Sequence, residues 1–288
     1  MKLALGTVQF GLDYGVANKT GQVSASEITA ILDECRSCGL DILDTAIGYG
    51  DSETRLGQAG VSDMRIVTKL PPLPELCADV EDFVVASVHG ALTRLGTPQV
   101  YGLLLHHAAD LVGPNGLALF SALEKIKAQG QTQKIGVSIY SPEILAPITH
   151  SFSIDLVQAP FNVIDQRLLA SGWLSKLADM EIEVHTRSAF LQGLLLIPAA
   201  SRPDYFKPWA GLLGHWEAFL TTHSLTPLEG TLGFLHRRAE IAHILVGVDN
   251  VTQLRAILAS VKTQTVPVPA HIASDDLALI DPSIWSKF

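Results

Sequence analysis

The amino-acid sequence predicts an α/β protein of the (β/α)8 TIM-barrel class. Two observations support this prediction: strands and helices alternate eight times, and each predicted strand is a continuous apolar run. Eight short apolar runs, rich in valine, isoleucine and leucine, alternate along the 288 residues with longer segments of helical periodicity. Strands that alternate with helices form parallel sheets, whose strands are apolar throughout because both faces are buried. No linker, internal repeat or low-complexity tract interrupts the alternation, so residues 1–288 are expected to form one domain.

Each predicted strand is a continuous apolar run that is too short for a helix of ordinary length. Together the eight runs account for all the strands that a closed barrel of this class requires. They cover residues 3–7, 41–46, 65–70, 101–106, 134–140, 156–161, 182–189 and 243–248.

The first long helix has clear boundaries in the sequence. Ser24 and Glu27 have the spacing of a capping box, and Gly39 is placed to end the helix. Apolar residues between them recur at intervals of three and four, as on one buried helix face. Residues 141–143, a serine, a proline and a glutamate, predict the start of another helix. Further helices are predicted over 79–95, 117–129, 172–180, 209–223, 228–238 and 251–261.

An open, doubly wound sheet is the alternative to a closed barrel. Such a sheet that binds a dinucleotide carries G-x-G-x-x-G directly after its first strand. The nearest match here runs from Gly48 to Glu53, which replaces the third glycine, and it follows the second predicted strand. The closed barrel is therefore favoured.

Composition and charge exclude several classes of protein. The chain is 48% hydrophobic and 17% charged, which is typical of a globular enzyme, and its formal net charge is −9. No cluster of lysine and arginine forms the basic surface that nucleic acid needs, so no such partner is expected. No apolar run reaches the roughly 18 residues of a membrane span, so no membrane association is expected.

The cysteines are few and do not indicate a disulfide framework. Cys35, Cys38 and Cys77 form an odd, sparse set, and the first residues lack the features of a signal peptide, so a cytoplasmic location is expected. Cys35 and Cys38 have redox spacing, but they lie near the end of a predicted helix, where the helix dipole opposes a thiolate. Packing in the core is the favoured interpretation. No second such pair exists, so no metal is expected.

Four ionisable side chains lie at the carboxyl ends of three consecutive predicted strands, where barrel enzymes place their active sites. Asp44 lies in the second run, Tyr49 follows it, Lys69 lies near the end of the third and His106 ends the fourth. Each alone has a structural interpretation, such as a helix cap, a lysine reaching solvent or a core histidine. Together they suit carbonyl chemistry, because a phenol can protonate an alkoxide and an ammonium nearby is expected to lower the phenol pKa.

These residues belong to motifs that resemble the aldo-keto reductase family. The resemblance extends from Leu5 to about Leu258, and the order of its motifs along the chain makes it specific. The motifs are Asp44-Thr45-Ala46-Ile47-Gly48-Tyr49-Gly50, Val67-Thr68-Lys69, Leu103-Leu104-Leu105-His106, Gly136-Val137-Ser138, Val157-Gln158 and Leu191-Gln192-Gly193-Leu194-Leu195.

The resemblance implies an NAD(P)H-dependent oxidoreductase that reduces an aldehyde or ketone. Tyr49 would be the proton donor, Lys69 and Asp44 would tune it, and His106 would orient the substrate. The implied cofactor is NADP(H), with NAD(H) as the second possibility, and no metal is implied. The implied cofactor-binding residues are Gly6, Thr7, Asp44, Ser138, Gln158, Arg187, Ser188, Phe190, Gln192, Gly193, Gly247 and Gln253.

Three positions depart from the family pattern. Ile139 stands where many members have asparagine, and Arg187 where many have a tyrosine that stacks on nicotinamide; a planar guanidinium can also stack. Asp249 stands near the place where a cation often binds the 2′-phosphate of NADP, which weakens the prediction of that cofactor. Arg255 is the nearby residue that could restore NADP binding.

Two other functions remain open at this point. The barrel could bind a cofactor as a sensor or scaffold with little turnover, or it could be an unrelated lyase that uses Lys69 as a Schiff base. The substrate, expected to be a small carbonyl compound, depends on the loops after the strands, for which residues 11–21, 108–115 and 198–209 are candidates. The oligomeric state is left open.

Overall fold

The computed structural model describes residues 1–16, 18, 21–261 and 266–285. Its eight strands are all parallel and close into a barrel in sequence order, with the first paired to the last. The predicted (β/α)8 class is therefore confirmed, and each strand overlaps its predicted run. The strands are β1 (Leu3–Gly6), β2 (Ile42–Asp44), β3 (Arg65–Leu70), β4 (Val100–Leu105), β5 (Thr132–Ser138), β6 (Leu156–Pro160), β7 (Glu183–Arg187) and β8 (His243–Gly247).

Helices surround the barrel, and their apolar faces pack against the outer faces of the strands. Short 3-10 turns, including Ala108–Leu111, Pro142–Ile144, Leu191–Gly193 and Asp204–Trp209, shape the connections. The α-helices are α1 (Val8–Gly11), α2 (Ala25–Cys38), α3 (Ser52–Gln58), α4 (Val80–Leu95), α5 (Gly116–Ala128), α6 (Leu145–Ser151), α7 (Arg167–Ala170), α8 (Trp173–Asp179), α9 (Ala210–Thr222), α10 (Pro227–His236), α11 (Val251–Ser260) and α12 (Leu277–Ile280).

An apolar belt fills the middle of the barrel. Alternate residues of a strand share one face, so the side chain two positions after a belt residue also points inward, one layer nearer the carboxyl end. In β2 this side chain is Asp44, in β3 it is Lys69 and in β6 it is Gln158. The belt therefore supports a layer of polar side chains above it. Its members are Ala4, Ile42, Val67, Leu104, Leu156 and Leu245, with Tyr101 packed against them.

The boundaries of α2 were predicted correctly, but its capping box is only half formed. The Ser24 side chain accepts a hydrogen bond from the Glu27 backbone N–H, and Gly39 ends the helix at a φ of 72°. The Glu27 carboxylate does not return to Ser24; instead it accepts a hydrogen bond from the backbone N–H of Val251, at 2.6 Å. Glu27 thus ties α2 to the first turn of α11.

Two other helix starts differ from prediction. Residues 142–144 form a 3-10 turn before α6, and the Ser141 side chain makes no capping hydrogen bond. A complete capping box occurs instead at α10, between Thr226 and Glu229, with Pro227 in the first position. The sequence contains this signal, but the prediction for α10 began one residue later and did not use it.

The expected packing of the cysteine pair in the core is met by Cys35, whereas Cys38 is half-buried. Cys35 is fully buried, and burial raises the pKa of its thiol to about 12. The rings of Trp216 and Phe219 stack with their centroids 5.7 Å apart, while Trp209 is half-buried and donates a hydrogen bond to Asp276. Within the described ranges, no helix is both long and apolar enough to cross a membrane.

Candidate active site

A cavity of about 570 Å³ opens at the carboxyl ends of the strands, a size typical of small-molecule sites, which measure about 300–1,000 Å³. Seven strands place a residue in its lining: six of them at or directly after their last position, and β6 through Gln158, two residues before its end. This is the end of the barrel at which enzymes of this fold carry out their chemistry. These residues are Gly6, Asp44, His106, Ser138, Gln158, Arg187 and Gly247.

Asp44 and Lys69 form a buried ion pair beneath the cavity. The Lys69 Nζ lies 2.7 and 2.8 Å from the two carboxylate oxygens of Asp44, and it also donates to the backbone oxygen of Thr45 at 2.8 Å. An ammonium has three N–H donors, so all three are used. Burial lowers the pKa of Lys69, whereas the Asp44 charge acts in the opposite direction.

Tyr49 lies above this pair, but its pKa moves opposite to the sequence-based expectation. The Lys69 Nζ is 5.1 Å from the centroid of the Tyr49 ring. Burial, with the Asp44 charge adding to it, raises the pKa of Tyr49 well above its usual range. The expectation of a lowered pKa was wrong, because burial and the Asp44 charge together raise it. Tyr49 is therefore a protonated phenol at neutral pH.

His106 packs edge-on against Tyr49. The ring centroids are 5.6 Å apart and the planes meet at 81°. Burial and the nearby Lys69 charge lower the pKa of His106 to about 4, so the imidazole is neutral at neutral pH and has one N–H to donate. The next residue, His107, is exposed, bonds to Asp110 and does not line the cavity.

The Gln158 side chain is held by Asp44 through its nitrogen, and its oxygen has no hydrogen-bond partner among the described residues. Its side-chain nitrogen donates to Asp44 Oδ2 at 2.7 Å, while its Oε1 is buried with no hydrogen-bond partner in the described part of the chain. A buried polar atom without a partner is costly, so this oxygen suits a ligand N–H. Thr7 differs, since its hydroxyl is buried against Ser52 and the Asp44 backbone oxygen.

Arg187 ends β7 and enters the same cavity. Its Nη2 donates to the backbone oxygen of Ile139 at 3.0 Å, and a weaker contact of 3.4 Å joins Nη1 to the Ser188 hydroxyl. The guanidinium carbon lies 4.5 Å from the centroid of the Tyr140 ring. The guanidinium thus lies over a side chain of the protein, and its stacking on nicotinamide stays a prediction.

The far end of the cavity is lined by the start of α11. Asp249 and Gln253 lie there and bond to each other, with the Asp249 backbone N–H donating to Gln253 Oε1 at 2.7 Å. Arg255 points elsewhere, because it pairs with Glu34 of α2 at 2.7 Å. Among the described residues that line this end, none is basic. Arg255, the residue that could have restored NADP binding, therefore does not line the cavity.

Comparison with known proteins identifies the family. Residues 2–268 match the family model of the Aldo/keto reductase family. The chain belongs to this family. It is 22% identical to the NADH-specific methylglyoxal reductase of Escherichia coli (strain K12), over 79% of this chain and 80% of that one. As the sequence predicted, the protein is an enzyme of the aldo-keto reductase type.

Solved structures of other aldo-keto reductases share its fold. The holo form of aldo-keto reductase AKR11C1 from Bacillus halodurans superimposes with a TM-score of 0.75 at 19% identity, over 94% of this chain and 90% of that one. The apo form gives a TM-score of 0.72 at 20% identity, with the same two coverages.

This aldo/keto reductase brings together nearly all the site residues that were predicted from its sequence. The exception is Lys69, which is fully buried and reaches the cavity only through Asp44, so it offers no free amine for a Schiff base. The predicted residues that line the cavity are Gly6, Thr7, Asp44, Tyr49, His106, Ser138, Gln158, Arg187, Ser188, Phe190, Gln192, Gly193, Gly247 and Gln253.

Several lining residues were not singled out from the sequence. Tyr14 accepts a hydrogen bond from the Gln192 side chain at 3.1 Å, Tyr140 packs under Arg187, and Gln9 lies beside Gly247. Tyr14 falls within the predicted 11–21 segment, and Tyr140 ends the fifth predicted strand. Both are aromatic residues after a strand, and that signal could have identified them.

The predictions for the surrounding loops were only partly correct. Part of the 11–21 segment lines the cavity, while residues 17, 19 and 20 lie outside the described residues. Segments 108–115 and 198–209 do not line it. In the first, Leu111 is buried in the core, and in the second, Phe206 packs edge-on against Trp285.

One group in this aldo/keto reductase could hold a metal ion on distance alone. Ligand atoms of Glu183, His185 and His243 lie within 4.8 Å of one another, near the barrel end opposite the cavity. Glu183 already accepts from the Tyr101 hydroxyl at 2.8 Å and pairs with Lys134. The lysine ammonium opposes a second cation, so we assign no metal here.

Proposed function

We propose that this enzyme reduces an aldehyde or ketone with a reduced nicotinamide cofactor, and that Tyr49 is the proton donor. The pairing of Tyr49 with His106 above the neutralised Asp44–Lys69 pair carries the proposal. These side chains offer a phenol and an imidazole at the floor of one cavity, where a carbonyl oxygen could bind both.

The chemistry divides between these side chains. A bound dihydronicotinamide supplies the hydride. Tyr49 donates a hydrogen bond to the carbonyl oxygen and then its proton to the developing alkoxide, since its raised pKa keeps the phenol protonated until then. His106, neutral with one N–H, orients the same oxygen. Lys69 stays charged beside Asp44 and stabilises the phenolate that Tyr49 leaves behind.

The cavity suits the cofactor along its length. Gln158 Oε1 and the buried Ser138 are placed to accept or donate hydrogen bonds to a carboxamide. Gly6 and Gly247 line the cavity where their strands end. Residues 188–193 and Gln253 would bind the phosphates and the adenosine, because barrels usually bind phosphate after strands seven and eight.

We further propose that NADH is preferred to NADPH. A 2′-phosphate requires charge-assisted hydrogen bonds to offset its desolvation. The end of the cavity at α11 presents the Asp249 carboxylate instead, and Arg255 is paired with Glu34. An acidic group there can accept hydrogen bonds from the free ribose hydroxyls of NAD. The name of the relative from Escherichia coli, an NADH-specific enzyme, agrees with this preference.

Label transfer tests the proposal directly. NADH and NADPH deuterated at C4 are incubated with a panel of aldehydes and ketones, beginning with methylglyoxal because the relative is named for it. Deuterium is expected on the former carbonyl carbon of at least one product. If the protein binds the cofactor but transfers no label to any member of the panel, the sensor or scaffold function replaces this proposal.

A further inference from the structure

We propose that Arg187 selects anionic carbonyl compounds as the substrates of this enzyme, by binding a carboxylate or phosphate group that the substrate carries near its reacting carbonyl. This inference rests on the proposed carbonyl reduction and names the substrate class of that site. Its ligand chemistry is an anionic oxygen group, whichever of the two groups supplies it.

The charges of the cavity single out Arg187. Apart from His106, three of the described lining residues are acidic or basic: Asp44, Arg187 and Asp249. Lys69 neutralises Asp44 from below, and Asp249 lies at the far end, on the loop that leads into α11. Among the described residues, no carboxylate pairs with Arg187. The catalytic end therefore carries one uncompensated positive charge, which favours an anionic ligand.

The guanidinium is held in place but only partly used. Its contacts are the Ile139 backbone oxygen, the Ser188 hydroxyl and the face of the Tyr140 ring. Two of its five N–H groups are donated in these contacts, and the side chain is half-buried. An arginine fixed in this way loses little entropy when its remaining N–H groups bind a carboxylate or phosphate in a forked arrangement.

Arg187 also acts on the catalytic side chains. Its charge opposes the rise in the pKa of Tyr49 and contributes to the low pKa of His106. Both effects require the guanidinium to lie near the place where the carbonyl is expected. A substrate anion bound to Arg187 would thus lie close to the reacting group, whereas the cofactor phosphates would bind at the loops nearer α11.

Matched substrate pairs test this inference. The value of kcat/KM is measured for 4-oxobutanoate against butanal, and for glyceraldehyde 3-phosphate against glyceraldehyde, in the wild type, Arg187→Met and Arg187→Lys. The wild type is expected to prefer at least one anionic partner by about 10-fold or more, since charged hydrogen bonds are worth that much. In Arg187→Met this preference should fall by about 10- to 100-fold, and Arg187→Lys should retain part of it.

The control is Arg36→Met, an arginine paired with Asp63 outside the cavity lining, which should not change the preference. The dissociation constant of NADH is measured for every variant, so that any common loss of cofactor binding is separated from substrate preference. A wild type that prefers the neutral partner in both pairs overturns the inference. So does an Arg187→Met variant that binds NADH more weakly but keeps the anionic preference, since the arginine then serves the cofactor.

Direct binding separates this inference from the proposed function. Succinate, which lacks a reducible carbonyl, is titrated by calorimetry into the cofactor-loaded wild type and Arg187→Met. If no carbonyl is reduced but succinate binds only to the wild type, the reductase proposal fails and the anion site stands. If neutral carbonyls are reduced and succinate binds equally well to both proteins, the anion site fails and the reductase proposal stands.

Discussion

Lys69 and Asp44 are joined by two short contacts, of 2.7 and 2.8 Å, and both side chains are buried at the floor of the cavity. The pair closes the floor of the cavity and leaves no free N–H on the ammonium, because Thr45 takes the third. Lys69 therefore acts on Tyr49 through its charge and not through a hydrogen bond.

Removing one partner of this pair should destabilise the fold. Lys69→Met leaves the Asp44 carboxylate buried without its counter-charge, and such a change costs about 3–5 kcal/mol. The free energy of unfolding in urea is the measurement. Lys207→Met is the control, because that lysine pairs with Asp204 but is 73% exposed, and it should have little effect. Equal stability of the two variants would contradict this account of the buried pair.

Tyr49→Phe removes the acidic proton and keeps the ring that packs against His106. A positioned general acid is worth about 10²- to 10⁴-fold, so kcat for carbonyl reduction should fall by that factor while NADH still binds. Tyr205→Phe removes a hydroxyl that bonds to the Ala278 backbone oxygen, outside the cavity lining, and should reduce at the normal rate. A Tyr49→Phe variant with normal turnover would mean that another group protonates the alkoxide.

The depressed pKa of His106 predicts a dependence of stability on pH. The folded-state pKa is about 4, below the unfolded value of about 6.5, so the unfolded chain binds the proton more readily. The contribution of the neutral imidazole is present above pH 6.5 and is lost as the pH falls toward 4. Because His243 has a similarly low pKa, His106→Asn should remove only part of this loss. The loss is measured as the difference in the free energy of unfolding in urea between pH 7 and pH 4.5. His107→Asn, a change at an exposed histidine, is the control.

Cofactor choice should depend on Asp249. The wild type is expected to have a higher kcat/KM with NADH than with NADPH, and Asp249→Arg should move that ratio toward NADPH by about 10- to 100-fold, since a charged hydrogen bond to phosphate replaces a repulsion. Raising the salt concentration should weaken the effect. Arg255 could also bind the 2′-phosphate if Glu34 did not hold it. Glu34→Gln frees Arg255 without altering the cavity lining and tests this possibility. A wild type that favours NADPH would show that a basic residue reaches the phosphate from another part of the chain.

The sequence by itself determined the barrel and most of the polar side chains that the strand ends bring to the cavity, but not Tyr14, Tyr140 and Gln9. Each strand is a local apolar run, and closure in sequence order brings strand ends together without any further information. Residues as far apart in the chain as Asp44 and Gln158 could therefore be assigned to one rim before any contact between them was known. Their hydrogen bond, at 2.7 Å, follows from that placement.

Tertiary structure alone decided what these side chains do to one another. The direction of the Tyr49 pKa depends on how deeply the phenol is buried and on the Asp44 charge beside it. Arg255 binds Glu34, a residue 221 positions away in the chain, across two helices. Arg187 likewise rests on Tyr140, which the sequence places on another strand end. Charge interactions change steeply with distance and burial, so a sequence pattern fixes which ionisable groups meet, whereas their protonation and partners depend on distances that only packing sets.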